Sequence, residues 1–295
     1  MEVTGPSIAV ERTPMPDFDK LPHLIRLLDD PSETVQEALA REFSAFGADL
    51  DAGLAALDDP LTPEQRQRIE AIRGECGRIW LRNAWPDWYG LEGDGAKLEE
   101  ALGLIAAFQY GPDPKGSLGE VLDELADAFR RKYEDGTVLD LARYLFEERG
   151  LEGAGPEDYY APLSSNLLHV VETGRGLPIS LACIYILVGR RLGFSVQGCN
   201  WPGHFLAVAR HDGETMLVDC FHGGSVVDED AFLRMQGPSK TAAQEVVRHP
   251  AAAEVIVARV LSNLIRAYEI QEHWPNRQLM AELLLDLERR FLATP

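Results

Sequence analysis

The feature that most restricts this chain is the stretch Leu177–Gly193, "LPISLACIYILVGRRLG", which is apolar on nearly every side until Arg190 and Arg191. A helix of that kind has no face to give to water, so it belongs deep in a core. Gly193 follows the last periodic residue, where a left-handed residue commonly ends a helix. No apolar run approaches the eighteen or so residues that a membrane span needs. Three segments of strand character come next, "FSVQGCN", "HFLAVARH" and "ETMLVDCF", so this region mixes helix with strand.

Upstream, the pattern is helical throughout. Leu21, Leu24, Leu27 and Leu28 recur at helical spacing. "DDPSETVQEALAREFSAFG" then restarts with Ser32 as N-cap, Val35, Ala38 and Phe43 inward, and Pro31 and Gly47 as punctuation. This pair resembles one unit of the HEAT repeat class, although a solenoid needs several stacked units and an ordinary helical hairpin explains the pattern better. Thr62 opens a long helix with Pro63 at its first position. "LEEALGLIAAFQYG" follows, then "SLGEVLDELADAFRRKYEDG" with a Ser117/Glu120 capping box, then "TVLDLARYLFEERG". Trp80, Trp85, Trp88 and Tyr89 read as core and interface aromatics. A turn-rich linker, Gly153–Pro162, precedes the helical "SSNLLHVVETG". Beyond Gly237 two helices separated by Pro275 resemble one tetratricopeptide unit. The expected organisation is a leader over 1–20, a helical domain over 21–152, a mixed core over 153–240 and a helical hairpin over 241–295.

Charge narrows the partners. The chain carries 28 basic and 48 acidic residues, a net −20. Such a field repels phosphate backbones and anionic lipid, which argues against nucleic acid and membrane surfaces and suits a cationic partner or simple solubility. Residues 1–20 contain Glu2 and Glu11 and no apolar core, unlike a secretory signal. Cys76, Cys183, Cys199 and Cys220 are widely spaced, with no CxxC, and are expected to stay reduced. A cytoplasmic protein is the expectation.

Chemistry is concentrated in "HFLAVARHDGETMLVDCF". Asp212-Gly213 at its centre is a two-residue hairpin signal that sets His211 against Glu214 and Leu206 against Asp219. Residues two apart share a face, so His204 and Asp219 become diagonal neighbours, roughly 7–8 Å apart at the backbone. A carboxylate on one imidazole nitrogen fixes the tautomer and leaves the other nitrogen for proton transfer. A buried histidine satisfied by an aspartate for structural reasons fits the same spacing. Cys220 falls on the opposite face.

A buried helix followed by "PGHF" and "VDCF", with His and Asp fifteen residues apart, resembles the transglutaminase-like superfamily. More specifically, "DYYAPLSSNLLHVVETGRGLPISLACIYILVGRRLGF", "PGHF" and "VDCFHGG" resemble its bacterial SirB-type branch, over Asp158 to about Gly224. The resemblance implies an α+β fold: a papain-type core with an antiparallel sheet, preceded by an all-helical N-terminal half and followed by a helical hairpin. It also implies a Cys-His-Asp triad whose cysteine opens the buried helix. That position falls near Pro178 to Ser180, and no cysteine is there. Cys183 lies almost a turn further in, among apolar neighbours, where a thiol is inert. Cys199 reads as a structural thiol. Ser180, near the positive end of the helix dipole, is the candidate for a serine version of the triad, or else a cap or solvated hydroxyl.

The cluster His204, Asp219, Cys220, His222 and Cys199 contains zinc-binding types, but the hairpin splits them between faces with no paired-ligand spacing, so no metal is expected. "FHGG" reads as a turn in which Gly223 and Gly224 supply positive φ. "GRG" at Gly174–Gly176 follows a helix and is too short for a phosphate loop, so no cofactor is expected. Three functions remain open. One is a non-catalytic module contacting a protein or peptide. Another is an amidase, peptidase or acyl transferase using His204 and Asp219 with Ser180 or a displaced cysteine. The third is a regulatory cleft that binds without turnover.

Overall fold

The computed structural model describes residues 17–46, 49–57, 59–111, 116–201, 203–235 and 240–292. The expected leader up to residue 16, Gly47 and Pro202 lie outside them. The chain divides into two units, Met1–Cys76 and Gly77–Pro295.

The first unit holds α1 (Leu21–Arg26), α2 (Glu33–Ala45), α3 (Asp49–Ala55) and the start of α4 (Pro63–Ala84). Thr62 Oγ1 accepts from the Gln65 amide while Gln65 Oε1 accepts from the Thr62 amide, a reciprocal cap that starts α4 at Pro63. Leu21, Leu24, Leu28, Leu39, Phe43, Phe46, Leu50 and Ile69 form the core of this unit. Leu27 departs from the expected face and is exposed. Leu21, Leu24 and Leu28 follow the i, i+3, i+7 stripe, and Leu27 falls just past the end of α1.

The second unit is built around α9 (Pro178–Arg191), in which every residue from Pro178 to Gly189 is buried. Its walls are α5 (Asp94–Tyr110), α6 (Leu118–Lys132), α7 (Val138–Arg143), α8 (Leu167–Thr173), the sheet, and α12 (Ala253–Ile270). Within residues 77–152, α5, α6 and α7 thus pack on α9, and α7 also meets β4. The expected capping box at Ser117 and Glu120 is present. Gly193 has φ 78, and its amide and that of Phe194 satisfy the last carbonyls of α9. Among the aromatics, Trp85 and Trp88 are buried edge to face, whereas Trp80 is exposed.

The sheet is antiparallel in the order β3 (Ser195–Cys199), β4 (Leu206–His211), β5 (Glu214–Asp219), β6 (Ser225–Asp228). A two-residue parallel pair, β1 (Glu152–Gly153) with β2 (Arg175–Gly176), stands apart from it. Both faces of the four-stranded sheet are covered. Ala207, Ala209 and Val218 join the core around α9. Leu206, Val208 and Leu217 pack instead with Phe232, Leu233 and Val247, from α10 (Glu229–Met235) and α11 (Lys240–Arg248). This is why Leu206 to Ala209 are buried without alternation.

The fold is α+β with an antiparallel sheet, a helical N-terminal half and a closing helical hairpin, as the sequence implied. Three details differ. β6 was not anticipated; it is a short edge strand whose residues are mostly exposed. Helix resumes at Glu229, before Gly237. Pro275 does not separate the final helices but lies in the first turn of α13 (Trp274–Leu287), where a missing amide costs nothing.

Candidate functional site

Asp212 and Gly213 both take positive φ, 50 and 83, as a tight hairpin turn with strand-matched twist requires. The ladder then runs from His211↔Glu214 to Ala207↔Val218 in the register read from the turn. His204 sits two residues ahead of β4, in a turn closed by its amide on the Trp201 carbonyl at 3.1 Å. Asp219 ends β5. Their side chains meet: His204 Nε2 lies 2.9 Å from Asp219 Oδ1. Among the described residues no hydrogen bond reaches His204 Nδ1, the nitrogen left for other work.

Asp219 does more than face His204. Oδ1 accepts the amides of Phe221 and His222, each at 3.2 Å, and so caps the short 3-10 turn Cys220–His222. Oδ2 lies 2.9 Å from His222 Nδ1. Burial pushes this carboxyl up, but the hydrogen bonds and charge of His204 and His222 outweigh it and hold the pKa at about 2. The side chains of His204 and Asp219 are 25% and 23% exposed, and that of His222 is 67% exposed, so the group opens to solvent on the His222 side. The sequence put His222 in a turn without assigning it to the face of Asp219. The chain leaves the strand at Asp219, however, and one turn of 3-10 helix brings His222 back to the carboxylate. Gly223 and Gly224 take φ 70 and 71, as expected for that turn.

The surroundings hold His204 in place. Its ring meets Phe221 edge to face at 6.3 Å, and Phe221 meets Tyr159 at 6.1 Å. Phe221 lies over Gly153, where a Cβ would come within 2.6 Å of the ring. From α12, Arg259 bonds Asn200 and the Trp201 carbonyl and stacks over Phe205 at 5.6 Å. Arg259 thus ties down the turn that presents His204. Nothing in the local sequence pattern marks it, because it lies more than fifty residues away.

The candidate nucleophiles lie elsewhere. Ser180, in the first turn of α9, is 1% exposed, and its hydroxyl donates to the Ser164 carbonyl at 2.9 Å. Cys183 and Cys220 are fully buried, and burial drives both thiols up, Cys220 also through the charge of Asp219. Cys199 points into the opposite core and is raised to about 11. No described hydroxyl or thiol hydrogen-bonds His204. Of the five metal-capable residues in this region, Cys199 and Cys220 go to separate cores, while ligand atoms of His204, Asp219 and His222 all lie within 4.8 Å of one another.

A buried helix laid against an antiparallel sheet, with a His-Asp pair at the strand ends, defines a class that the comparisons identify. A family model described as the transglutaminase-like superfamily matches residues 116–262, and the chain belongs to that superfamily. Among curated proteins, a UPF0162 protein of Xylella fastidiosa (strain Temecula1) is 32% identical over 197 residues, covering 62% of this chain and 69% of the relative. The UPF0162 protein of Pseudomonas aeruginosa is 30% identical over 175 residues, 57% of this chain and 63% of its own. F-box only protein 21 of Mus musculus is 31% identical over 84 residues, 28% of this chain but 13% of that protein. No solved structure matches. Among the described residues no helix is long and apolar enough to cross a membrane.

Proposed function

We propose that the chain is a non-catalytic transglutaminase-like module that binds another protein or a peptide at the face bearing His204 and Asp219. The observation that carries this reading is the start of α9. Where the superfamily's nucleophile belongs, Ser180 is sealed and its hydroxyl proton is committed to the Ser164 carbonyl. A hydroxyl so placed has to break a buried hydrogen bond before it can attack anything. The thiols of Cys183, Cys199 and Cys220 are buried and held in the protonated form. Recurrence of a matching segment within a much longer protein, of which it spans 13%, suits a module better than a free-standing enzyme. The net charge of −20 favours a basic partner.

One observation favours the other reading, an amidase, peptidase or acyl transferase: His204 and Asp219 are in hydrogen-bond contact, with Nδ1 left over. Labelling with a serine-directed and a cysteine-directed acylating probe separates the two. The expected outcome is equal labelling of the native chain and of His204→Ala. An adduct that forms on the native chain and disappears in His204→Ala would establish a dyad-activated nucleophile and sink the module.

A further inference from the structure

Three side chains converge at the solvent end of the sheet, and the His-Asp dyad accounts for only two of them. His222 is the remainder. It reaches Asp219 Oδ2 through Nδ1 at 2.9 Å, and its ring centroid lies 5.7 Å from that of His204. A catalytic or structural dyad has no use for a second imidazole there. Two imidazole nitrogens and one carboxylate oxygen on a common centre are the donor set of divalent first-row transition metals, whereas calcium and magnesium take oxygen donors.

We propose that His204, Asp219 and His222 bind one divalent transition-metal ion of the zinc class, with an open coordination position for water or for a group from a bound partner. One ring nitrogen each from His204 and His222 and a carboxylate oxygen of Asp219 lie within 4.8 Å of one another. Zinc bonds of about 2.0–2.2 Å require ligand atoms somewhat closer together than that limit. The adjustment falls to His222, the most exposed of the three side chains at 67%. The other two ligands are held by the hairpin register, by Phe221 and, through the Asn200–Trp201 turn, by Arg259. Asp219 Oδ1 is oriented by two backbone amides, leaving Oδ2 with spare acceptor capacity. Three protein ligands on a solvent-facing edge leave a tetrahedral ion incomplete, the arrangement that keeps a position for an outside ligand. The negative field of the whole chain draws a cation toward it. This assignment stands apart from the question of turnover, and neither result of the labelling experiment bears on it.

The test uses the full chain, stripped with a chelator and then titrated with Co²⁺ alone and with Zn²⁺ in competition with a chromogenic chelator. The expected result is one ion per chain, visible d–d bands typical of nitrogen and oxygen ligands, and a thermal midpoint that rises with Zn²⁺. In His222→Ala, affinity falls about tenfold or more and the Zn²⁺-dependent rise disappears. The metal-free midpoint of this variant falls only modestly, because a pair with a partner as exposed as His222 contributes little to stability. Equal affinity in the native chain and His222→Ala would overturn the proposal. So would a thiolate charge-transfer band, or binding lost in Cys76→Ser but kept in His222→Ala.

Discussion

Asp219 is the residue on which the site turns, since it receives two imidazoles and two backbone amides. Its carboxyl is depressed from 3.8 to about 2 in the folded chain. The stabilisation this implies is fully present above the unfolded-state value near 3.9 and is lost as pH falls through the folded value. Asp219→Asn is expected to lower unfolding free energy by about 2 kcal/mol at neutral pH, with the difference shrinking between about pH 4 and pH 2. Denaturant unfolding across that range checks it; a gap independent of pH would assign the loss to packing instead. At this scale the sequence was partly legible. His204 and Asp219 could be paired because a two-residue turn sets register with no freedom. His222 could not, because period-two reasoning ends where the strand ends. Arg259 was invisible because its contact crosses more than fifty residues of chain.

Among the elements, the turn joining β5 to β6 controls where His222 goes. Gly224 has φ 71, and a Cβ there would run into the ring of Phe146. Gly224→Ala therefore combines a strained backbone with a clash, for an expected loss of about 1–3 kcal/mol. It should also move the His222 resonances in an NMR spectrum while leaving signals from the first unit unchanged. Unshifted His222 resonances would mean that the turn does not position the ring. Helix α9 was legible because an unbroken apolar run admits one environment, a closed core. β6 and α10 were not. The exposed Val226 and the acidic Asp228, Glu229 and Asp230 carry no alternation strong enough to separate an edge strand from a loop.

Across the whole molecule, the excess of 48 acidic over 28 basic residues opposes compaction through self-repulsion. Added salt screens that repulsion over a Debye length that shrinks to about 8 Å at 0.15 M. The thermal midpoint is expected to rise by a few degrees, about 2–5 °C, between low and physiological sodium chloride. A calorimetric salt series reads this directly, and a falling midpoint would mean that favourable ion pairs outweigh the net charge. The placement of residues 77–152 against α9 was beyond sequence reading, because amphipathic faces announce that they are buried without saying against what.

The hairpin has a consequence for how the site comes into being. Its two strands are joined by the two residues Asp212 and Gly213, so the loop that must close before His204 can meet Asp219 is among the shortest a chain can form. Closing so small a loop forfeits little chain entropy, and hairpins form on a timescale of about microseconds. The His-Asp contact is thus a local event in the history of the molecule, open to an early start. The anchoring by Arg259 has to wait for a far segment to arrive, and with it comes the last restriction on where the imidazole points.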